Sequence, residues 1–127
     1  MKMMENPSGF VDFFKNKITY RFEKFNYEKH VGKRPRISEE LGKIKDTILN
    51  PDAITAGPRT RKQRNFYKVL SYDDNSGVRY VTFWKVITFR ESVTLARIAT
   101  CIYSSSPNYY VINSKEKIIW KKPNSQI

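Results

Sequence analysis

The sequence predicts an α+β fold, in which N-terminal helices pack on one face of a mainly antiparallel sheet of four to five strands. Three observations support this class. Residues at helical spacing are concentrated before residue 52, runs of β-branched and aromatic residues dominate from residue 66 onward, and turn residues separate those runs. The chain of 127 residues is the size of one domain, 1–127. Its polar ends, 1–9 and 121–127, are predicted to be frayed.

The N-terminal part of the chain is predicted to hold the helices and one strand. The apolar cluster at residues 10–14 indicates a turn of helix that packs on the body, and residues 17–22 alternate as a strand does. A short helix over residues 26–30 would start at an Asn cap. The clearest helix spans residues 38–50, with acidic residues in its first turn and Asn-Pro at its end. One face of this helix carries Leu41, Ile44 and Ile48.

The C-terminal part is predicted to form the sheet. After a short extended piece at residues 53–56, the segment 57–65 holds four cations and no large apolar side chain, which predicts a mobile basic loop. Strands are then predicted at residues 66–72, 79–89, 93–103, 109–112 and 117–120. A turn at residues 73–77 joins the first two in a hairpin, and residues 104–108 are predicted to break the third strand. The last two are predicted to pair with each other.

The charge of the chain favours one class of partner. There are 24 Lys and Arg residues against 12 Asp and Glu, which gives a formal net charge of +12. Such a field attracts polyanions, and nucleic acid is the commonest polyanion in a cell. An anionic membrane ranks lower, because the sequence holds no long basic amphipathic helix and no apolar run of membrane-spanning length. The single cysteine, Cys101, excludes an intrachain disulfide, and the N-terminus lacks the apolar core of a signal peptide. A cytoplasmic protein is therefore predicted, with delivery into another cell as the alternative.

Sequence motifs for metal or nucleotide chemistry are absent. One His and one Cys cannot form a zinc site with the usual spacing, and the chain has no phosphate-binding glycine motif and no GxSxG element. Acidic residues are not paired within the predicted strands, which disfavours a two-metal nuclease. No metal or other cofactor is therefore predicted.

The only histidine, His30, lies among the cations Lys29, Lys33, Arg34 and Arg36. RNA provides its own nucleophile, the 2′-hydroxyl, so metal-free cleavage needs a proton acceptor, a proton donor and cations around the phosphate. Imidazole has an unperturbed pKa of about 6.5, which suits proton transfer near neutrality. Neighbouring positive charge favours its neutral, basic form. The alternative is an ordinary solvated residue on a short helix.

Further residues are candidates for contacts with a polynucleotide. Phosphates would be bound by the cations Lys29, Lys33, Arg36, Arg59, Arg61, Lys62 and Arg64. Lys85 and Arg97 interrupt apolar strand patterns, and their side chains point either into a cleft or to an exposed face. Ser104, at a predicted strand end, would donate a hydrogen bond to a phosphate or to its own turn. Among the aromatic residues that could stack on bases, Tyr67 lies in a strand, whereas the pair at residues 109–110 adjoins a turn.

Several short motifs follow one another along the chain: His30, Arg34-Pro35, Thr47-Ile48-Leu49-Asn50-Pro51-Asp52, Tyr67 and Ile98-Ala99-Thr100. Their order resembles that of the phage and mobile-element branch of the barnase–EndoU–colicin–RelE nuclease superfamily. The resemblance implies a barnase-like or RelE-like fold and a metal-independent ribonuclease that acts by 2′-hydroxyl transesterification, as a toxin or an effector. By this resemblance His30 would transfer protons, Arg34 would hold the phosphate, and Thr100 would contribute a hydroxyl in the sheet cleft. The implied partners are RNA, tRNA included, and an acidic antitoxin or immunity protein.

Two other classes of function also fit the sequence. A non-catalytic nucleic-acid-binding protein would use the same basic surface, and would bind in a salt-dependent manner without forming product. A protein-interaction module would instead present its basic face to an acidic protein. Cleavage of RNA in EDTA that is lost in His30→Ala distinguishes the ribonuclease from both.

Overall fold

The computed structural model describes residues 4–5, 11–22 and 37–127, which form one sheet with a helix on one face. The helix α1 spans Ile37–Leu49. The strands are β1 (Met4–Glu5), β2 (Val11–Lys15), β3 (Ile18–Phe22), β4 (Ala53–Ala56), β5 (Gln63–Asn75), β6 (Val78–Arg90), β7 (Leu95–Pro107) and β8 (Lys117–Lys121). Their order across the sheet is β1-β2-β3-β7-β6-β5-β4-β8.

The predicted fold class is wrong. The described residues contain eight strands and a single α-helix, whereas several N-terminal helices on four to five strands are predicted. The sheet is also mixed, because β3 runs parallel to β7, with Thr19 opposite Leu95. The other neighbouring strands are antiparallel. The helix predicted at residues 26–30 lies outside the described residues.

The N-terminal residues form a hairpin where a helical turn is predicted. Phe13 of β2 lies opposite Tyr20 of β3, and the strands are joined by Asn16 and Lys17, both with positive φ. A two-residue turn of this kind matches the right-handed twist of paired strands. The pairing buries Phe13 while its backbone is hydrogen-bonded to a neighbouring strand, and an isolated turn of helix offers fewer hydrogen bonds for the same burial.

Three strands of 13 residues each, β5, β6 and β7, form the centre of the sheet. The hairpin predicted between β5 and β6 is confirmed, but the predicted turn at residues 73–77 is too long. Asn75 still belongs to β5 and lies opposite Val78, and Ser76 and Gly77 form the turn. Both turn residues have positive φ (54° and 80°), a conformation that glycine adopts at little cost. The strand break predicted at residues 104–108 is wrong, because β7 stays paired with β6 as far as Pro107.

The predicted last hairpin is also wrong. Asn108–Tyr110 is a turn of 3-10 helix, and β8 pairs antiparallel with β4, where Lys117 lies opposite Ala56. The segment before β8 crosses one face of the sheet, and there Val111 is buried in a cluster with Tyr67. Burial of Val111 therefore holds this segment against the sheet, and the segment leads to β8 on the outer side of β4.

The segment predicted as a basic loop is divided between a loop and a strand. Residues 57–62 connect β4 to β5, and residues 63–65 already belong to β5. Gln63 and Asn65 are buried, because alternate residues of a strand point to the same face of the sheet.

The helix predicted at residues 38–50 is confirmed as α1. The face of the sheet that it covers is called the helix face. On this face Leu41, Ile44 and Ile48 share an apolar cluster with Phe13, Phe22, Phe66, Trp84, Val86 and Ile98. Burial of each large apolar side chain contributes about 1.5–3 kcal/mol. No helix in the described part of the chain is long and apolar enough to cross a membrane.

The opposite face of the sheet is called the Glu116 face. Its smaller apolar cluster comprises Ala53, Tyr67, Val81, Phe83, Val111 and Ile127. Two of these residues, Val111 and Ile127, come from segments outside the strands and cover the sheet. The two faces thus differ in what closes them, a helix on one side and irregular chain on the other.

Candidate nucleic-acid interface

The carboxylate of Glu116, whose side chain is fully buried, accepts four hydrogen bonds. Its Oε1 accepts hydrogen bonds from the Tyr67 hydroxyl at 2.6 Å, from Asn65 Nδ2 at 3.1 Å and from Thr55 Oγ1 at 2.5 Å. Its Oε2 accepts a hydrogen bond from Lys85 Nζ at 2.7 Å. Both oxygens are therefore engaged by donors of the protein.

Strand pairing assembles this network. Thr55 lies opposite Asn65, and Tyr67 lies opposite Lys85, so side chains from β4, β5 and β6 meet on the Glu116 face. Burial is the main cause that raises the pKa of Tyr67, and the hydrogen bond to the Glu116 carboxylate raises it further. The hydroxyl thus stays protonated as a donor. A carboxylate that is enclosed and fully bonded in this way is suited to holding the fold.

Two predicted nucleic-acid contacts belong to this network. Tyr67 is fully buried, so neither face of its ring is open to a base. The Lys85 side chain is 16% exposed, and its ammonium is bonded to Glu116 and lies 5.2 Å from the Tyr67 ring centroid. Because Tyr67 is buried, Lys85 is half-buried and both are bonded within the protein, the prediction that they contact nucleic acid does not agree with the structure. Glu116 was missed, because a single acidic residue within a lysine-rich run carries no sequence signal for burial.

Three other predicted residues lie on β7. Arg97 is half-buried, forms an ion pair with Glu91 (Nε–Oε1 3.1 Å) and stacks over Phe89. Thr100 and Ser104 are half-buried, and among the described residues neither side chain has a hydrogen-bond partner. Since Thr100 pairs with Ile87 and Ser104 with Phe83, both lie on the Glu116 face.

The loop at residues 57–62 presents its cations to solvent. Arg59, Arg61 and Lys62 are exposed, and among the described residues their side chains have no acidic partner. Arg64 differs, because it is half-buried in β5 and its Nη1 donates to the carbonyl of Arg61 at 2.7 Å. The Gln63 side chain accepts a hydrogen bond from the Arg59 backbone N–H at 3.1 Å. Arg64 and Gln63 thus support the loop, while the other three cations are available to a ligand.

A second cationic surface was not predicted. Strand β8 is the edge of the described sheet and exposes Ile118, Ile119 and Trp120 by 41–50%. Exposed lysines flank these residues: Lys115, Lys117, Lys121 and Lys122. Because residues 117–120 were predicted to pair in a hairpin, their position on an open edge was missed. The run of three apolar residues with lysines on both sides is the sequence signal that could have found it.

Tyr109 and Tyr110, the predicted stacking pair, are exposed by 65% and 70%, with ring centroids 4.7 Å apart. They lie after the end of β7, so their ring faces are accessible to a base. The remaining predicted residues, Lys29, His30, Lys33, Arg34 and Arg36, lie outside the described residues. Their arrangement around a phosphate therefore stays a prediction.

Part of the motif that carries the nuclease resemblance has a structural role. Asp52 accepts a hydrogen bond from the Val69 backbone N–H through Oδ2 at 2.7 Å, and its own N–H donates to the Tyr67 carbonyl at 2.7 Å. These bonds connect the end of α1 to β5. Thr47 is buried, and its hydroxyl donates to the Lys43 carbonyl within the helix.

Comparisons with protein-family models, with curated proteins and with solved structures find no match. Within the described residues no group of three or more His, Cys, Asp or Glu side chains is placed to hold a metal ion. The resemblance to the nuclease superfamily consequently stays a prediction.

Proposed function

We propose that this protein binds nucleic acid through a cationic surface formed by residues 57–62 and strand β8. The observation that carries the proposal is a set of exposed cations without acidic partners among the described residues, on a chain of net charge +12. Lys117 lies opposite Ala56, the residue just before the loop, so the loop and β8 are contiguous. Such a surface contacts phosphates and releases their counterions.

The cationic groups of Arg59, Arg61 and Lys62 make none of the hydrogen bonds of the loop among the described residues. These hydrogen bonds use the backbone N–H of Arg59 and Lys62 and the carbonyl of Arg61, not their side-chain charges. Substituting these three residues by Gln therefore removes charge while the loop backbone is retained. Lys43 provides a control, because it is equally exposed on α1 and no described residue pairs with its ammonium.

The test is fluorescence anisotropy with labelled RNA over a range of salt concentrations. Each lost phosphate contact to a single strand reduces the slope of log K against log salt by about 0.7. Arg59→Gln, Arg61→Gln and Lys62→Gln together are expected to reduce it by about 2, and Lys43→Gln is expected to leave it unchanged. Equal slopes for wild type and the triple variant would refute the assigned surface.

A narrower proposal is metal-independent cleavage of RNA by the same protein in the cytoplasm. Its support is the single histidine, His30, among four cations of the sequence, together with the motif order described above. The Thr100 hydroxyl has no partner among the described residues and is available as a donor. The 2′-hydroxyl would attack the phosphate, the bond to the 5′-oxygen would break, and a 2′,3′-cyclic phosphate would form.

Incubation with total RNA and with tRNA in EDTA tests this activity. Cleavage is expected for wild type, and His30→Ala is expected to abolish it while far-UV circular dichroism is unchanged. Thr100→Val should lower the rate less, since one neutral donor is lost. Full activity of His30→Ala would exclude His30 as the proton-transfer group. Binding without any product, at any protein concentration, would leave a non-catalytic nucleic-acid-binding protein.

A further inference from the structure

A cleft of about 560 Å³ opens on the helix face between the C-terminal end of α1 and strand β8. Trp120 forms one wall, and Leu49, Asn50 and Pro51 form the other. Small-molecule sites commonly have volumes of about 300–1,000 Å³. The cleft is therefore large enough for a nucleotide-sized group.

Three lysines line this cleft. Lys15 Nζ donates to the Ile48 carbonyl at 2.7 Å, and Lys68 Nζ donates to the Asn50 carbonyl at 2.8 Å. Lys122, the residue that follows β8, is 61% exposed at its side chain and also lines the cleft. An ammonium group has three N–H donors, so the carbonyl contacts leave donors on Lys15 and Lys68 for another ligand.

The carbonyls at the helix end hold two of the ammonium groups in position. The last turn of α1 contains no basic residue of its own. Lys15 of β2 and Lys68 of β5 instead place their positive charges at the negative end of the helix dipole. The nearby carboxylates of Asp46 and Asp52 lie 3.8 Å and 3.9 Å from the ammonium groups of Lys68 and Lys122, beyond hydrogen-bond distance. Three cations against two carboxylates leave the cleft positive.

We propose that this cleft binds one nucleotide of a single-stranded nucleic acid, with its base stacked on Trp120 and its phosphate bound by Lys15, Lys68 and Lys122. The inference rests on the proposed nucleic-acid binding and adds the class of ligand. A base that is paired in a duplex presents only its edges in the grooves, whereas an unpaired base can place its ring face on an indole. Strand β8 leads from the cleft towards the loop, and Lys117 to Lys121 span about 13 Å at the usual rise per residue.

The experiment compares a labelled single-stranded RNA with the same strand annealed to its complement. Trp120→Leu is expected to weaken binding of the single strand by about tenfold, in line with the effect of removing one stacked base. Duplex binding is expected to change by less than twofold. Trp120→Tyr should retain most of the affinity, because a phenol ring also stacks. Tyr72→Leu is the matched control, since Tyr72 is an aromatic residue of similar exposure that lies on β5, outside both the cleft and the proposed surface.

A fluorescence measurement on wild type and on Trp120→Tyr tests the same contact without relying on the folding of Trp120→Leu. Quenching of tryptophan emission is expected when the single strand is titrated into wild type, and it should be lost in Trp120→Tyr, where only the buried Trp84 emits. Lys68→Gln should reduce the salt slope by about 0.7, and Lys43→Gln should not.

The outcomes separate the two proposals. Binding of single strand and duplex with equal affinity, unchanged in Trp120→Leu, would overturn the cleft assignment and leave nucleic-acid binding standing. Absence of binding to both would overturn both proposals. Stronger Trp120-dependent binding of polyglutamate than of RNA would instead identify the cleft as a site for an acidic polypeptide and overturn the nucleotide assignment.

Discussion

The two faces of the β5–β6 ladder are stabilised by opposite chemistry. On the helix face, Phe66, Trp84 and Val86 pack against α1 with apolar side chains only. On the Glu116 face, the neighbouring positions Tyr67 and Lys85 donate to a buried carboxylate. Truncating a buried apolar side chain lowers the free energy of unfolding roughly in proportion to the volume removed. Removing the partner of a buried charge lowers it further, because the remaining charge is buried without compensation for its lost hydration. The comparison predicts that the Glu116 face is the less tolerant of the two.

The largest effect is expected from Glu116→Ala. It leaves Lys85 without its counter-charge and removes the shared acceptor of Tyr67, Asn65 and Thr55, so the free energy of unfolding should fall by about 3–5 kcal/mol. Urea unfolding monitored by circular dichroism measures this change in the free energy of unfolding. Replacing both partners, in Lys85→Met with Glu116→Leu, should recover much of the loss. A loss below about 1 kcal/mol in Glu116→Ala would mean that the network adds little.

On the helix face, Ile48→Ala should lower the free energy of unfolding by about 3 kcal/mol, through lost burial and the cavity that remains. Ile48→Val, which removes a single methyl group, should cost about 1 kcal/mol and serves as the control for volume. Both are measured by the same urea titration. If Ile48→Ala proved more damaging than Glu116→Ala, the ranking of the two faces would be reversed.

A smaller effect is expected from Tyr67→Phe, which removes one donor to Glu116 and keeps the ring. A hydrogen bond to a charged group contributes about 1.5–3 kcal/mol, so the loss of unfolding free energy should be about 2 kcal/mol. Tyr110→Phe, at an exposed position, is the control and should change stability by less than about 0.5 kcal/mol.

The same residue predicts a dependence of stability on alkaline pH. The pKa of Tyr67 in the folded protein is raised above its ordinary value of 10.0, chiefly by burial. In the unfolded chain the phenol ionises as the pH passes 10, while in the folded protein it stays neutral. Its stabilising contribution is therefore complete below pH 10 and is lost progressively above it. Denaturant titrations above pH 10 should show a shallower decline in Tyr67→Phe than in Tyr110→Phe, and parallel declines would contradict this.

Local patterns explain which elements could be predicted. The helix α1 and the β5–β6 hairpin follow from residue spacing and from the Ser-Gly turn, which act over a few neighbouring residues. The short apolar segment at residues 11–15 fits a helical turn or a strand equally well by spacing alone. Its pairing with β3 decided between them. The break predicted at Ser104 failed for the same reason, because long ladders with β6 outweigh the weak strand preference of serine and proline.

The candidate site divides in the same way. The exposed cations of residues 57–62 could be predicted from composition, since a polar run without large apolar side chains has no reason to be buried. The environments of Tyr67 and Lys85 could not, because they depend on Glu116, which lies 31 residues or more along the chain from both. The cleft beside Trp120 could likewise not be predicted, because it forms between the end of α1 and β8, which are far apart in the sequence.

The sequence by itself determined the charge of the protein, the position of its main helix and the central hairpin, because net charge, helical spacing and turn residues are local properties. Only the tertiary structure decided which strands are neighbours, which cations are exposed and where an aromatic ring meets lysines in a cleft. Those outcomes depend on the burial of distant side chains such as Val111 and Glu116, and on partners for their polar groups. Contacts between residues far apart in the chain leave no periodic pattern in it.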